Sequence, residues 1–310
     1  MNSPQALDGR ATGLMLLLCF VWSLQQISLK AASPDVAPML MLALRSGVAA
    51  LLVALLVRFR GERLAPGRWR AGLVVGLLFA FEYLLLGEGL RHTHASHIVV
   101  FLYTAPIFAA LGLHWRLPAE RLNAPQWAGI ALAFAGIALT FFGRAPAAGA
   151  TASNVLWGDL LGLMAGAAWG ATTVVLRTSS LARAPATETL LYQLLAAFFL
   201  LLPASVLLGQ GGFKATPLAW GHLAFQALVV SFASFLVWFW LLRHYLATRL
   251  GVFSFMTPLF GIALGVALLG EPIEAGFVAG SVLVLAGVML VSRPGWLLGA
   301  LSRWVPAGRS

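Results

Sequence analysis

Long apolar stretches alternate with short polar or Pro- and Gly-containing breaks along almost the whole chain of 310 residues. Each stretch holds about 20 residues, and a helix of that length covers the roughly 30 Å hydrocarbon core of a bilayer. The pattern predicts ten transmembrane helices, at residues 11–30, 36–57, 70–89, 95–114, 124–142, 156–177, 187–208, 218–242, 248–269 and 273–292. Because the connections are short, we expect any function to lie among the helices.

The composition favours a membrane protein and excludes most other classes. Hydrophobic residues make up 60% of the chain and charged residues 10%, whereas soluble domains have about 45–50% apolar and about 25% charged residues. The single cysteine, Cys19, can form neither a disulfide within the chain nor a cysteine zinc site. We therefore expect no metal and no other cofactor. The first apolar run resembles a signal peptide, but it is longer than usual and has a counterpart later in the chain, so we expect it to remain as a helix.

The distribution of positive charge predicts the orientation. A net charge of +10 is compatible with nucleic-acid binding, but the basic residues lie singly or in small groups at the ends of apolar stretches. With the N-terminus inside, fifteen of the 20 Lys and Arg residues lie on the cytoplasmic side and four outside, while Arg45 lies within a helix. Because positive residues accumulate in cytoplasmic loops, we expect a multi-pass protein of the bacterial inner membrane. Both termini would lie in the cytoplasm, and no nucleic acid would bind.

The two halves of the sequence repeat each other. Residues 129–139, GIALAFAGIAL, match residues 280–290, GSVLVLAGVML, with five of eleven positions identical. Three further pairs have similar separations: Trp22 with Trp169, Lys30 with Arg177, and Pro106 with Pro258. A repeat of five helices inserts its second copy upside down relative to the first, an arrangement more typical of transporters than of scaffolds or enzymes.

The predicted fold is therefore an all-α membrane protein of ten transmembrane helices in two inverted five-helix repeats. The corresponding segments are a cytoplasmic N-terminus at 1–10, a first repeat at 11–142, a linker at 143–155, a second repeat at 156–292 and a cytoplasmic tail at 293–310. Such halves can exchange inward-open and outward-open states of similar energy.

Several motifs recur at matching places in the two halves. They are the tryptophans Trp22 and Trp169, and the stretch from Tyr103 through Glu120 to Gly129 with the stretch from Met256 through Glu271 to Gly280. A further mark is Arg45 in the second helix, which has no basic or acidic equivalent in the seventh. In these features the chain resembles the ten-helix EamA-type members of the drug/metabolite transporter superfamily over nearly its whole length. The resemblance implies proton-coupled or exchange-type export of amino acids or related metabolites.

Two ionisable residues lie deep within predicted helices, where a charge is costly and indicates function. Arg45 lies about 14 Å and Glu82 about 10 Å from the outer ends of adjacent antiparallel helices, at a rise of 1.5 Å per residue. If they meet, Glu82 either exchanges a proton as the substrate moves or forms a structural ion pair with Arg45.

A further set of polar and aromatic residues is predicted to line a substrate site, with interhelical hydrogen bonding and packing as the alternatives. The set comprises Trp22, Gln25, Gln26, Tyr103, Trp169, Thr172, Thr173 and Trp238, with Phe235, Phe239 and Trp240 beside the last. Pro106 and Pro258 interrupt helical hydrogen bonding near the middle of their helices and are predicted hinges, a static kink being the alternative.

Three further groups are interpreted as structural. His92, His94 and His97 lie near Glu88, but their spacing fits no closed zinc motif, so we interpret them as a solvated turn. Glu271 and Glu274 are expected to cap helix ends. The glycines Gly162, Gly166 and Gly170 predict a close helix contact.

Together these features predict a secondary transporter that exports a small metabolite by alternating access. Glu82 is the candidate for proton coupling. Efflux of lipophilic cations, for which a membrane carboxylate is a natural counter-ion, is an alternative. An integral-membrane enzyme is disfavoured because it needs several catalytic groups at one interface, and a channel because no ring of polar residues recurs. Substrate identity, coupling ion, direction and the choice between monomer and homodimer stay open.

Overall fold

The computed structural model describes residues 9–62, 64–142, 150–245, 254 and 256–291. In this part of the chain the secondary structure is helical, apart from isolated bridge residues such as Val36 and Phe213. The α-helices are α1 (Gly9–Ala32), α2 (Pro38–Phe59), α3 (Trp69–His92), α4 (Ala95–Leu102), α5 (Ala105–Arg116), α6 (Ala124–Phe142), α7 (Ala150–Thr178), α8 (Ala186–Leu207), α9 (Pro217–Ala224), α10 (Phe235–His244), α11 (Met256–Leu269) and α12 (Ala275–Val291).

Eight helical stretches among the described residues are long and apolar enough to cross a membrane, and α11 and α12 are shorter apolar helices. The predicted all-α membrane class is therefore confirmed, whereas the ten-helix count stays a prediction. Residues 248–253 and 255 of the ninth predicted helix lie outside the described residues. Helix α7 begins at Ala150, six residues before the predicted start, so the described part of the predicted linker is helical.

The fourth predicted helix is divided into α4 and α5. The break falls at Tyr103 and Thr104, and Pro106 lies in the first turn of α5. Proline lacks a backbone N–H and is favoured in a first turn, so it starts α5 where a continuous helix would lose a hydrogen bond. Pro258 occupies the matching place in the first turn of α11, two residues after Met256.

The eighth predicted helix contains a π-helical segment. Residues Phe225–Ser234 adopt this wider winding between α9 and α10. Extended π-helix is rare and is frequently associated with functional sites. The segment packs against α2 and α1 and directs the side chain of Gln226 into the interior, where it is fully buried.

The bundle is built from contacts between the two halves of the chain. Helix α1 packs on α11, α2 on α8, α3 on α7 and α8, α4 and α5 on α7, and α6 on α12. The α6–α12 contact is antiparallel and pairs four glycines. A Cβ atom on Gly129 would lie 2.8 Å from the oxygen of Gly287, and one on Gly136 would lie 2.6 Å from the oxygen of Gly280. In the sequence repeat, Gly129 corresponds to Gly280 and Gly136 corresponds to Gly287. Exchanging α6 with α12 therefore turns the Gly129–Gly287 contact into the Gly280–Gly136 contact, and the contact as a whole is unchanged.

We expect Gly136→Ala to destabilise the protein, because its Cβ atom would force α6 and α12 apart. Overpacking of this kind typically costs about 1–3 kcal/mol. Thermal unfolding of the detergent-purified protein, followed by tryptophan fluorescence, measures the effect. Gly13→Ala is the matched control, since Gly13 is an exposed helical glycine with nothing within 4 Å of its Cβ position. Equal melting temperatures for the two variants would contradict the importance of the crossing.

Candidate functional site

Arg45 lies at the centre of the polar interior. It is a residue of α2 and is completely buried. Its Nη1 atom donates a hydrogen bond of 2.5 Å to Oε1 of Gln226 on the π-helical segment. The amide of Gln226 in turn donates from Nε2 to the carbonyl oxygen of Gln25 on α1, at 2.8 Å. The guanidinium carbon lies 4.8 Å from the ring centroid of Tyr83 on α3, so three elements hold this side chain.

Glu82 neighbours Tyr83 on α3 and is also buried. Its Oε2 atom has no hydrogen-bond partner among the described residues. The positive charge of Arg45 acts on it, yet in the described part of the chain no ion pair of 4.0 Å or less joins the two side chains. Arg45 bonds instead to Gln226 and also contacts the side chain of Tyr83. The alignment of α2 and α3 is fixed at Gly87, where a Cβ atom would lie 3.2 Å from Cα of Met39.

Trp22 and Trp238 form an aromatic pair. Their ring centroids lie 5.7 Å apart in an edge-to-face arrangement. The indole N–H of Trp22 donates a 3.0 Å hydrogen bond to the hydroxyl of Ser234 at the end of the π-helical segment. Gln25 is half-buried, whereas Gln26 is buried and its Oε1 atom lacks a hydrogen-bond partner among the described residues.

Tyr103 and Trp169 form a second edge-to-face pair, with centroids 5.4 Å apart. Tyr103 lies at the break between α4 and α5 and contacts Thr257 of α11. The carbonyl oxygen of Thr257 accepts a 2.6 Å hydrogen bond from the hydroxyl of Ser23 on α1. Thr257, just before Pro258, therefore contacts Ser23, the neighbour of Trp22, while Tyr103, at the break before Pro106, contacts Trp169.

The remaining predicted residues are less directly connected to this centre. Thr172 and Thr173 donate to carbonyl oxygens of their own helix, Ala168 at 2.9 Å and Trp169 at 3.1 Å, so their hydroxyl protons are occupied. Trp240 stacks on His244 at 4.5 Å rather than on Trp22. Phe235 is half-buried and packs against a cluster around α2 and α8, while the side chain of Phe239 lies outside the described residues.

The predicted glycine contact on α7 is confirmed. Gly166 faces the carbonyl oxygen of Phe101, and Gly170 faces that of Ala105, both within 3.0 Å of where a Cβ atom would lie. The absence of side chains lets α7 approach the backbone on both sides of the α4–α5 break. In the other half, the hydroxyl of Ser23 approaches the backbone of α11 in the equivalent way.

A cluster of buried ionisable groups lies at one end of the bundle, which we call the Asp159 end. Nδ1 of His97 lies 2.9 and 3.1 Å from the two carboxylate oxygens of Asp159. The hydroxyl of Thr93 donates to the same carboxylate at 2.5 Å. His97 and Asp159 are 1% and 0% exposed, and Phe277 of α12 stacks on the imidazole at 3.8 Å. The cluster thus joins α4, α7 and α12.

Glu271 and Lys30 complete the Asp159 end. The Glu271 carboxylate accepts hydrogen bonds from the backbone N–H groups of Ala95, at 2.6 Å, and Ser96, at 3.0 Å. It therefore caps α4, as predicted for a helix end, although the helix belongs to the other half of the chain. The Lys30 ammonium donates to the carbonyl oxygens of Leu90 and Thr93 at the end of α3.

The interpretation of the histidines as a solvated turn is wrong for His97, because its imidazole is buried against Asp159. His94 is partly buried beside it. Burial lowers the pKa of His94, and the charge of the neighbouring His97 lowers it further. His92 bonds to Glu88 at 3.0 Å. Within the described ranges no group of three or more His, Cys, Asp or Glu side chains is arranged to hold a metal ion.

A multi-pass helical bundle with a polar, partly unpaired centre is typical of membrane transport proteins. The EamA-like transporter family matches residues 10–142 and again residues 156–293. The chain therefore belongs to the EamA-like transporter family, whose members are transporters rather than enzymes.

Three relatives show the range of the family. The probable amino-acid metabolite efflux pump of Salmonella typhimurium is 26% identical over 89% of this chain and 93% of its own length. The uncharacterized inner membrane transporter YedA of Escherichia coli is 25% identical over 90% of this chain and 89% of its own length. The uncharacterized transporter YoaV of Bacillus subtilis is 23% identical over 89% of this chain and 94% of its own length. A crystal structure with 20% identity superposes with a TM-score of 0.62 over 97% of this chain and 99% of the other, which shows a shared fold.

Proposed function

We propose that this protein is a secondary active transporter that exports amino acids or related small metabolites across the inner membrane by alternating access. The observation that carries the proposal is the exchange symmetry of the α6–α12 contact, in which Gly129 meets Gly287 and Gly136 meets Gly280 on antiparallel helices. Two inverted halves related in this way have two equivalent arrangements, one open to each side of the membrane. The separate family matches to the two halves support the same division.

The two ends of the bundle differ in a way that fits one state of such a cycle. At the end opposite Asp159, Arg177 pairs with Glu120 at 2.5 Å, and the two side chains are 53% and 35% exposed. Their counterparts by sequence repeat are Lys30 and Glu271, and Glu271 is only 7% exposed. We propose that the Asp159 end faces the periplasm and is closed, while the Glu120 end faces the cytoplasm, in agreement with the charge distribution.

Amino-acid export is favoured over efflux of lipophilic cations by the charge at the centre. A buried guanidinium repels a cation, whereas it attracts the carboxylate of an amino acid. The Salmonella relative, named as a probable amino-acid metabolite efflux pump, supports the same substrate class. Pro106 and Pro258 are proposed as the hinges, since each lies in the first turn of a short helix beside the central residues.

The test is growth of bacteria that overproduce the protein, in the presence of toxic amino-acid analogues and, separately, of lipophilic cationic dyes. We expect resistance to the analogues and unchanged sensitivity to the dyes, relative to cells carrying the empty vector. Resistance to the dyes alone would establish cation efflux instead. Increased sensitivity to the analogues would reverse the proposed direction.

A further inference from the structure

Arg45 has hydrogen-bonding capacity that the described part of the protein does not use. A guanidinium has five N–H donors and stays charged at all physiological pH values. Nη1 is bonded to Gln226, but neither Nε nor Nη2 has a hydrogen-bond partner among the described residues. The whole side chain is 0% exposed. Burying a charged group without partners is costly, and such groups in native proteins call for an explanation.

The two unused atoms lie on the same edge of the guanidinium. Nε–H and one Nη2–H point in parallel, and this pair is the fork that binds both oxygens of a carboxylate at once. The edge is held in place, because Nη1 is anchored by Gln226, Gln226 is anchored by the carbonyl of Gln25, and Tyr83 packs on the guanidinium. Such a fixed fork loses little side-chain entropy when an anion binds.

Glu82 does not occupy this fork. It forms no ion pair of 4.0 Å or less with Arg45 among the described side chains, and its own Oε2 atom lacks a partner there. The charge of Arg45 acts on Glu82, so the two side chains are neighbours. Together they present a positive fork and a carboxylate oxygen that is unpartnered within the described ranges, which is complementary to a molecule with one carboxylate and one ammonium group. A phosphate dianion is disfavoured because Glu82 would repel it.

We propose that the Nε and Nη2 edge of Arg45 binds the carboxylate of the transported substrate and restricts transport to small molecules that carry one, with Glu82 facing the substrate's ammonium group. This inference rests on the proposed export function and specifies how its substrate is recognised. It also gives Arg45 a role in specificity that a purely structural residue would not have.

The test compares matched ligands on the purified protein in proteoliposomes. The probes are radiolabelled leucine, phenylalanine and threonine, each beside its C-terminal amide, which keeps the ammonium group and side chain but lacks the carboxylate. Because a charge-assisted bidentate contact contributes about 1.5–3 kcal/mol, we expect the amides to have half-saturation concentrations at least about tenfold higher. Arg45→Lys keeps the charge but removes the fork, and should weaken amino-acid transport while reducing the preference over the amides. Arg91→Lys, at an exposed ion pair with Glu88, is the matched control.

The outcomes separate the two proposals. Equal transport of amino acids and amides by the wild type would overturn the carboxylate site and leave export intact. Failure of the wild type to transport any of these probes would overturn the proposed substrate class itself, and the carboxylate site with it. The comparison within the wild type does not depend on any variant, so misfolding of Arg45→Lys would not prevent a decision.

Discussion

Replacement of Glu82 by Gln is expected to abolish transport driven by a proton gradient while leaving the protein folded. Glu82 is a buried carboxylate in a membrane-spanning helix, and in the described part of the chain Arg45 is the charged group that acts on it. An amide has nearly the same shape but cannot take up or release a proton. Gradient-driven transport should therefore fall to the level of empty liposomes, while the melting temperature stays close to that of the wild type.

Two measurements on the same proteoliposomes distinguish loss of coupling from loss of the site. Uptake under an imposed pH gradient requires proton movement, whereas exchange of labelled for unlabelled substrate at equal pH does not. We expect Glu82→Gln to retain exchange, at a higher half-saturation concentration, because a Gln oxygen still accepts a hydrogen bond from an ammonium group. Gradient-driven uptake at the wild-type rate in this variant would exclude the coupling role.

Glu88→Gln is the matched control for this prediction. Glu88 belongs to the same helix but bonds to Arg91, His92 and Gln210 near its end, where it is 24% exposed. Partly exposed pairs of this kind contribute about 1 kcal/mol or less. Both activities should survive its replacement, so a loss in both variants would point to α3 as a whole rather than to Glu82.

The proposed positions of the substrate and the proton suggest how export is driven. A proton on Glu82 and an ammonium group facing it compete for the same carboxylate, because each satisfies the negative charge. If the carboxylate site on Arg45 is correct, an amino acid entering from the cytoplasm displaces the proton that Glu82 carried inward. Proton entry and substrate exit then alternate at one site, as antiport requires.

The membrane helices were predictable because hydrophobic length alone determines them. The break before Pro106 also has a local cause, the missing N–H of proline. The π-helical segment at Phe225–Ser234 was not predicted. Its hydrogen-bond pattern is chosen by packing against α1 and α2, and no residue type within it signals the wider winding.

The candidate site was predictable only in part, for a similar reason. Arg45 and Glu82 stand out because charges in apolar segments are rare. The partner of Arg45 could not be found this way, since Gln226 lies 181 residues later and is an uncharged residue. Asp159 was overlooked because it lies near the start of the helix predicted at 156–177, where a polar residue is usually solvated. Its burial depends on His97, 62 residues earlier in the sequence.

Asp159→Ala is expected to be strongly destabilising. The carboxylate accepts from Thr93 and faces Nδ1 of His97, and the side chains of His97 and Asp159 are 1% and 0% exposed. Its removal takes away the acceptor that holds α4 against α7 and leaves a cavity beside His97. Breaking a buried pair by removing one partner typically costs about 3–5 kcal/mol. The effect is measured by the melting temperature and by unfolding in increasing concentrations of a denaturing detergent.

Two further variants test whether the loss of stability in Asp159→Ala comes from the burial of the contact between His97 and Asp159. Asp159→Asn keeps an acceptor oxygen for Thr93 and should recover part of the lost stability. Glu120→Ala also removes a carboxylate from an ion pair, but that pair is 35% and 53% exposed at the opposite end of the bundle, so it should cost about 1 kcal/mol or less. If Asp159→Ala unfolds under the same conditions as Glu120→Ala, the cluster does not stabilise the Asp159 end. A large difference, with partial recovery in Asp159→Asn, would establish that the buried carboxylate of Asp159 stabilises this end of the bundle.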